Sequence, residues 1–189
     1  REGQKWMEKW TYILSVPMLV EFKTNVFRGK KNLHNRFVRA YGEHTVTREL
    51  DLTDPEVRES IDEVTAEWGS SRNKNHDEVD SEFRAIKRSL KHAGHLSTKA
   101  FGVYVADKLV GYIIYELLPN KMIMNHFTKA NIDYVGVFEF LDHNFAKHLS
   151  SLDIDFINFE QDLGIDGLRR SKLSHHPVDF LRKYRVKLA

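Results

Sequence analysis

At 189 residues, with 41% hydrophobic and 30% charged side chains, the chain is long enough to bury one full core and too apolar to stay disordered. The absence of cysteine excludes disulfides, thiolate metal sites and a thiol nucleophile, and it suits a reducing, cytoplasmic compartment. The net charge of +2 conceals an asymmetry: residues 1–42 carry nine Lys/Arg against three Asp/Glu, residues 43–163 thirteen against twenty-two, and residues 164–189 seven against two. A fold that joins the two basic ends would form one surface suited to the phosphates of a nucleotide, a tRNA or a lipid headgroup.

The chain opens at Arg1 rather than at a methionine, as a fragment or a processed product does. No apolar run approaches the roughly 20 residues of a membrane-spanning helix. The stretch 12–22 is too short and is interrupted by Pro17, and no signal peptide precedes it. A short strand is predicted over 12–15. The run Arg28-Gly29-Lys30-Lys31 leads into a helix through Tyr41, with Leu33, Phe37 and Tyr41 at helical spacing. Residues 44–50 alternate as a strand does. Thr53-Asp54-Pro55-Glu56 is a helix start, because Thr53 or Asp54 can accept from free amides and proline is tolerated in the first turn. Val57, Ile61, Val64 and Trp68 then form one apolar stripe. After the polar loop 69–76, a second amphipathic helix is marked by Val79, Phe83, Ile86 and Leu90 and ends at Gly94.

Two β-branched and aromatic runs in AFGVYVADKLVGYIIYELL predict a hairpin turning at Asp107-Lys108, with both arms apolar enough for a covered sheet. KMIMNHFTKA is a third strand. A helix over 135–149, with Phe138, Leu141, Phe145 and Leu149 on one face, leads to a strand over 154–160 and a helical tail. On that last strand Ile154, Phe156, Asn158 and Glu160 share a face. Ligands of open α/β sheets sit beyond strand ends, so Asn158 and Glu160 are expected in a cleft, with Asp162 just past it. Glu160 can serve as general base or hold an ammonium group, and Asp162 can face the same amine. The structural alternative ties Glu160 to Arg169, Arg170 or Lys172.

Gly164 and Gly167 bracket a turn before Arg169, Arg170 and Lys172, a pattern that can grip an anion or simply cap a helix. No phosphate-loop or dinucleotide glycine signature occurs. His175-His176-Pro177 lacks accompanying ligands, so no metal site is expected. These histidines are expected to cap the turn before a last helix at Pro177, with His176 facing the cleft.

The order of elements, with ADKLVGYIIYEL in its middle, resembles the GNAT N-acetyltransferase fold, an α/β (α+β) architecture with a mixed central sheet flanked by helices. INFEQDLGIDGLRRSKLSHHPVDFLRKY together with FRGKKNLHNRF resembles the family grouped with the C-terminal domain of phosphatidylglycerol lysyltransferases. The resemblance covers essentially the whole chain. It implies transfer of an aminoacyl group from tRNA to a lipid, with a peripheral location at the inner membrane face. Relatives often carry two such domains in tandem. On that basis residues 1–42, with the aromatic cluster Trp6, Trp10 and Tyr12, are expected as a junction from a preceding domain, and 43–189 as the GNAT-like domain.

In acetyltransferases of this fold, a Gln/Arg-x-x-Gly-x-Gly/Ala pattern opens the helix after the third strand, and its amides cradle the coenzyme A pyrophosphate. Here Asp133-Tyr134-Val135-Gly136-Val137-Phe138 retains only Gly136. Asp133 repels a pyrophosphate and Phe138 blocks close approach. Three functions follow: an aminoacyl- or acyltransferase with a bulky donor, with Lys129 or His126 near the reacting carbonyl; an acyl-CoA-dependent N-acyltransferase with an altered loop; or a non-catalytic binding half of a tandem protein.

Overall fold

The computed structural model describes residues 10–22, 25–70 and 76–183. The chain lays down β1 (Trp10–Ser15), α1 (Val16–Glu21), α2 (Arg28–Tyr41), β2 (Thr45–Leu50), α3 (Pro55–Ser70), α4 (His76–Lys91) and β3 (Thr98–Val105). It continues with β4 (Lys108–Leu118), β5 (Met122–Ala130), α5 (Val137–Ser151), β6 (Phe156–Asn158), α6 (Asp166–Leu173) and β7 (Asp179–Arg182). The strands form one sheet in the order β2-β3-β4-β5-β6-β1-β7, antiparallel except for the parallel β5–β6 pair.

The strand β4 shows why the central hairpin is apolar on both faces. Ile113 and Tyr115 point into a core with Leu19, Phe37 and Phe145, contributed by α1, α2 and α5. Tyr112 and Ile114 point into a second core with Ile61 and Val64 of α3 and Ile86 and Leu90 of α4. Helices cover the sheet on both sides, so strict polar alternation along β4 is lost. The helix start at Pro55 is capped as its residue types require, with Asp54 Oδ1 accepting from the Glu56 amide at 2.9 Å.

Three sequence expectations are corrected. The hairpin turns at Ala106-Asp107, one residue earlier than predicted: both have positive φ (47° and 66°), and Val105 pairs with Lys108. The 12–22 stretch is divided near Pro17, as expected, into the end of β1 and the helix α1. Pro17 sits in the first turn of α1, where Ser15 Oγ accepts from the Met18 amide, and the missing proline N–H would have had no helical partner. The segment after Pro177 is the strand β7, because the free edge of β1 offers it hydrogen bonds in register from Trp10↔Arg182 to Ile13↔Asp179. Residues 10–22 and 25–42, expected as a junction, are built into this domain, since β1 lies between β6 and β7, and Leu19, Phe27 and Phe37 enter the core. Trp6 lies outside the described residues. Trp10 and Tyr12 pack edge-on against Phe180 at 6.0 and 5.3 Å.

The β1–β7 pair also unites the two basic segments of the chain. Lys30 Nζ on α2 lies 3.1 Å from His175 Nε2 in the turn after α6. Among the described residues no helix is long and apolar enough to cross a membrane.

Candidate active site

The strands β5 and β6 run parallel only from Met122↔Phe156 to Met124↔Asn158, after which β6 ends while β5 continues to Ala130. The gap opens past the carboxyl end of β6, where β5 runs on without it, and ligands of open α/β sheets usually sit beyond strand carboxyl ends. The strand predicted over 154–160 is shorter than expected because Glu160 adopts a left-handed backbone, φ 54°, which breaks the extended alternation. Asn158 secures that turn, its Oδ1 accepting from the Glu160 amide at 3.0 Å. On the other side of the gap, Ile114 pairs with Phe127 and Tyr115 with Asn125, so His126 is the extra residue of a β-bulge. Bulges re-aim side chains.

His126 lies between two carboxylates. Its Nδ1 is 3.5 Å from Glu160 Oε1 and its Nε2 is 3.3 Å from Glu116 Oε2. The hydrogen bond with Glu160 holds the imidazole pKa above its ordinary 6.5, with burial opposing and Glu116 adding to the rise. Glu116 escaped the sequence analysis. Its signal was its place near the end of β4, opposite Met124 in the hairpin register. A folded pKa above the unfolded value means that the stabilisation from this pair is fully present below about pH 6.5 and is lost as pH rises through the folded pKa. In an NMR titration His126 is expected to titrate above 6.5, and Glu160→Gln is expected to lower its pKa. An unshifted His126 contradicts the pairing.

The other carboxylate has a different role from the one predicted. Asp162 is 0% exposed and accepts from Tyr12 Oη and Arg169 Nε, each at 2.6 Å, and from the Gly164 amide at 3.0 Å. Asp162 and Arg169 therefore face each other, not an amine and an anion. Burial alone would push the Asp162 carboxyl up, but the bonds from Arg169, Tyr12 and Gly164 outweigh it and hold the pKa below the usual carboxylate value. Burial and the Asp162 bond raise the Tyr12 hydroxyl to about 12.

Lys172 is also turned inward. It is 7% exposed, donates to the Phe159 carbonyl and lies 4.4 Å from the Phe159 ring centroid. Burial lowers its pKa to about 8, against the opposing pull of Glu160 and Asp162. The Phe159 carbonyl immediately precedes the Glu160 turn, so Lys172 supports that turn instead of presenting its ammonium to an anion. Lys129 is buried, paired with Glu82 and placed 4.1 Å over the Trp68 ring. Arg170 is exposed on α6. His176 contacts the Val26 carbonyl at 3.3 Å and the Phe27 ring at 5.2 Å. His175 is held by Asp142 Oδ2 and the Ser171 carbonyl, both at 2.9 Å. Of the predicted residues, the structure brings Asn158, Glu160 and His126 together, with Lys172 behind them. Among the described residues no three His, Asp or Glu side chains are grouped as a metal would need.

A mixed sheet between two helical layers, with its gap beside the parallel strand pair, is the GNAT fold. The solved ribosomal-protein-alanine N-acetyltransferase of Brucella melitensis biovar Abortus matches with TM-score 0.52 and 14% identity, over 76% of this chain and 99% of that one. The chain belongs to the phosphatidylglycerol lysyltransferase C-terminal family, whose sequence model matches residues 8–187. A conserved protein of unknown function from Bacteroides thetaiotaomicron matches with TM-score 0.78 and 26% identity, over 92% of this chain and 57% of that one. L-PGS from Bacillus licheniformis matches with TM-score 0.64 and 11% identity, over 95% of this chain and 61% of that one. The chain thus spans about 57–61% of these longer proteins. No curated protein matches it by sequence.

Proposed function

We propose that this domain transfers an aminoacyl group from aminoacyl-tRNA to an amine- or hydroxyl-bearing acceptor such as a lipid headgroup, with the reaction in the gap between β5 and the end of β6. The observation that supports this donor over coenzyme A is the position of α2. It lies across the N-terminus of α5, where acetyltransferases of this fold hold the pyrophosphate. Gly136 has φ 88°, and a Cβ there would collide with the Leu33 carbonyl of α2. Phe37 stacks on Phe140 at 4.5 Å and Tyr41 meets Tyr134 at 5.1 Å. Glu139 adds a carboxylate to the first turn, with its pKa raised by burial. A pyrophosphate would need α2 to leave, which would expose Phe37 and Phe140.

In the proposed reaction the acceptor N–H or O–H attacks the ester carbonyl, and Glu160 takes its proton. The new bond forms to the carbonyl carbon as the bond to the ribose oxygen breaks. His126, which keeps its proton to higher pH, donates to the departing oxygen. Asn158 and Lys172 hold the turn that presents Glu160.

Titrating the purified chain with acetyl-CoA and with aminoacylated tRNA tests the donor. Saturable, salt-sensitive binding of the tRNA is expected, with acetyl-CoA weaker than millimolar. A low-micromolar acetyl-CoA complex overturns the assignment.

A further inference from the structure

One buried imidazole outside the gap joins four parts of the chain. His175, in the turn after α6, is 6% exposed. Its Nδ1 lies 2.9 Å from the Ser171 carbonyl of α6, and its Nε2 lies 2.9 Å from Asp142 Oδ2 on α5 and 3.1 Å from Lys30 Nζ on α2. Contacts on both ring nitrogens fix the orientation of the imidazole. Burial pushes the Asp142 carboxyl up, but its bond to His175 and the charges of His175 and Lys30 outweigh burial and hold the pKa below the usual carboxylate value.

The ring so fixed meets the Phe159 ring edge-on, with centroids 5.0 Å apart. Phe159 is the residue before Glu160. Its amide donates to the Tyr12 carbonyl at 2.8 Å, and its carbonyl accepts from Lys172. Glu160 depends on such support, because a non-glycine residue with φ 54° keeps that backbone only where its surroundings over-determine it. Backbone bonds alone leave the Phe159 side chain free to change rotamer. The His175 ring and the Lys172 ammonium, 4.4 Å from the Phe159 centroid, hold it in place. A continuous path therefore runs from Asp142 through His175 and Phe159 to Glu160, whose carboxylate meets His126 at 3.5 Å.

We infer that His175, anchored by Asp142, is a positioning residue for Glu160 and acts through the Phe159 ring; its bearing on transfer rests on the assignment of Glu160 as the base.

The His126 imidazole reports the position of Glu160 without any substrate, because the Glu160 bond is the largest cause of its raised pKa. An NMR titration of His126 in His175→Gln is the test, since glutamine keeps a donor for Asp142 and removes the ring that meets Phe159. The His126 pKa is expected to fall toward 6.5. Transfer turnover is expected to fall about tenfold or more with KM little changed, because a displaced base slows the chemical step and leaves binding intact. Asp142→Asn is expected to shift His126 in the same direction by less, and it decides the matter where circular dichroism shows that His175→Gln does not fold. Leu90→Ala, in the core on the opposite face of the sheet, is expected to lower the melting temperature and leave His126 unshifted, which separates positioning from general destabilisation. A His126 pKa in the deciding variant equal to that of the unaltered chain overturns the inference, whatever the transfer rate. A shifted His126 in a chain that transfers nothing supports the positioning and removes the transfer chemistry, so the two readings fail separately.

Discussion

Glu160→Gln is expected to slow aminoacyl transfer about a hundredfold, the usual cost of losing a general base, while the melting temperature changes little. The substitution keeps the shape of the side chain and its left-handed backbone, and it removes only the charge. Little stability is at stake because the carboxylate is partly exposed and meets His126 at 3.5 Å, a geometry worth little net energy. The alternative role, an anchor for Arg169 or Lys172, is already filled: Arg169 is held by Asp162, and Lys172 by the Phe159 carbonyl. Transfer kinetics measured beside a thermal melt on the same variant decide the matter. A clear loss of stability with unchanged transfer would remove Glu160 from the chemistry and leave it as a support for the turn.

Asp162→Ala is expected to produce the opposite profile, with a loss of about 3–5 kcal/mol of stability, because it strands the Arg169 guanidinium and the Tyr12 hydroxyl inside the fold. Tyr12 belongs to β1 and Arg169 to α6, so this carboxylate ties the first described strand to the last helix. Its depressed pKa adds a pH signature. The stabilisation is present above the unfolded value of about 3.8 and is lost as pH falls through the lower folded value. Urea unfolding at neutral pH and at about pH 3 should therefore show a large difference between Asp162→Ala and the unaltered chain at the first, and a smaller one at the second. A change below about 1 kcal/mol at neutral pH would contradict the strut role.

Both variants concern residues that the sequence placed together, and the structure gives them different surroundings: Asp162 is enclosed by Tyr12 and Arg169, and Glu160 faces His126. In sequence, Glu160 and Asp162 are two carboxylates beyond a strand, and nothing local separates them. What separates them is distant: Tyr12 lies 150 residues away in the chain and closes over Asp162, while the bulge at His126 turns an imidazole toward Glu160. Glu116 was missed for the same reason, since its relevance depends on the register of β4 against β5.

The sequence by itself determined the elements with strong local signals. The stripe Ile61, Val64 and Trp68 specified α3, the paired β-branched runs specified the β3–β4 hairpin, and Asp54-Pro55 specified where a helix begins. These depend on side-chain periodicity and capping, which act over a few residues. Only the tertiary structure decided that the segment after Pro177 is a strand, that β1 lies inside the sheet between β6 and β7, and that α2 lies over the N-terminus of α5. Each follows from closure of the fold, because the free edge of β1 and the apolar rings of Phe37 and Phe140 gain partners only when segments far apart in the chain meet.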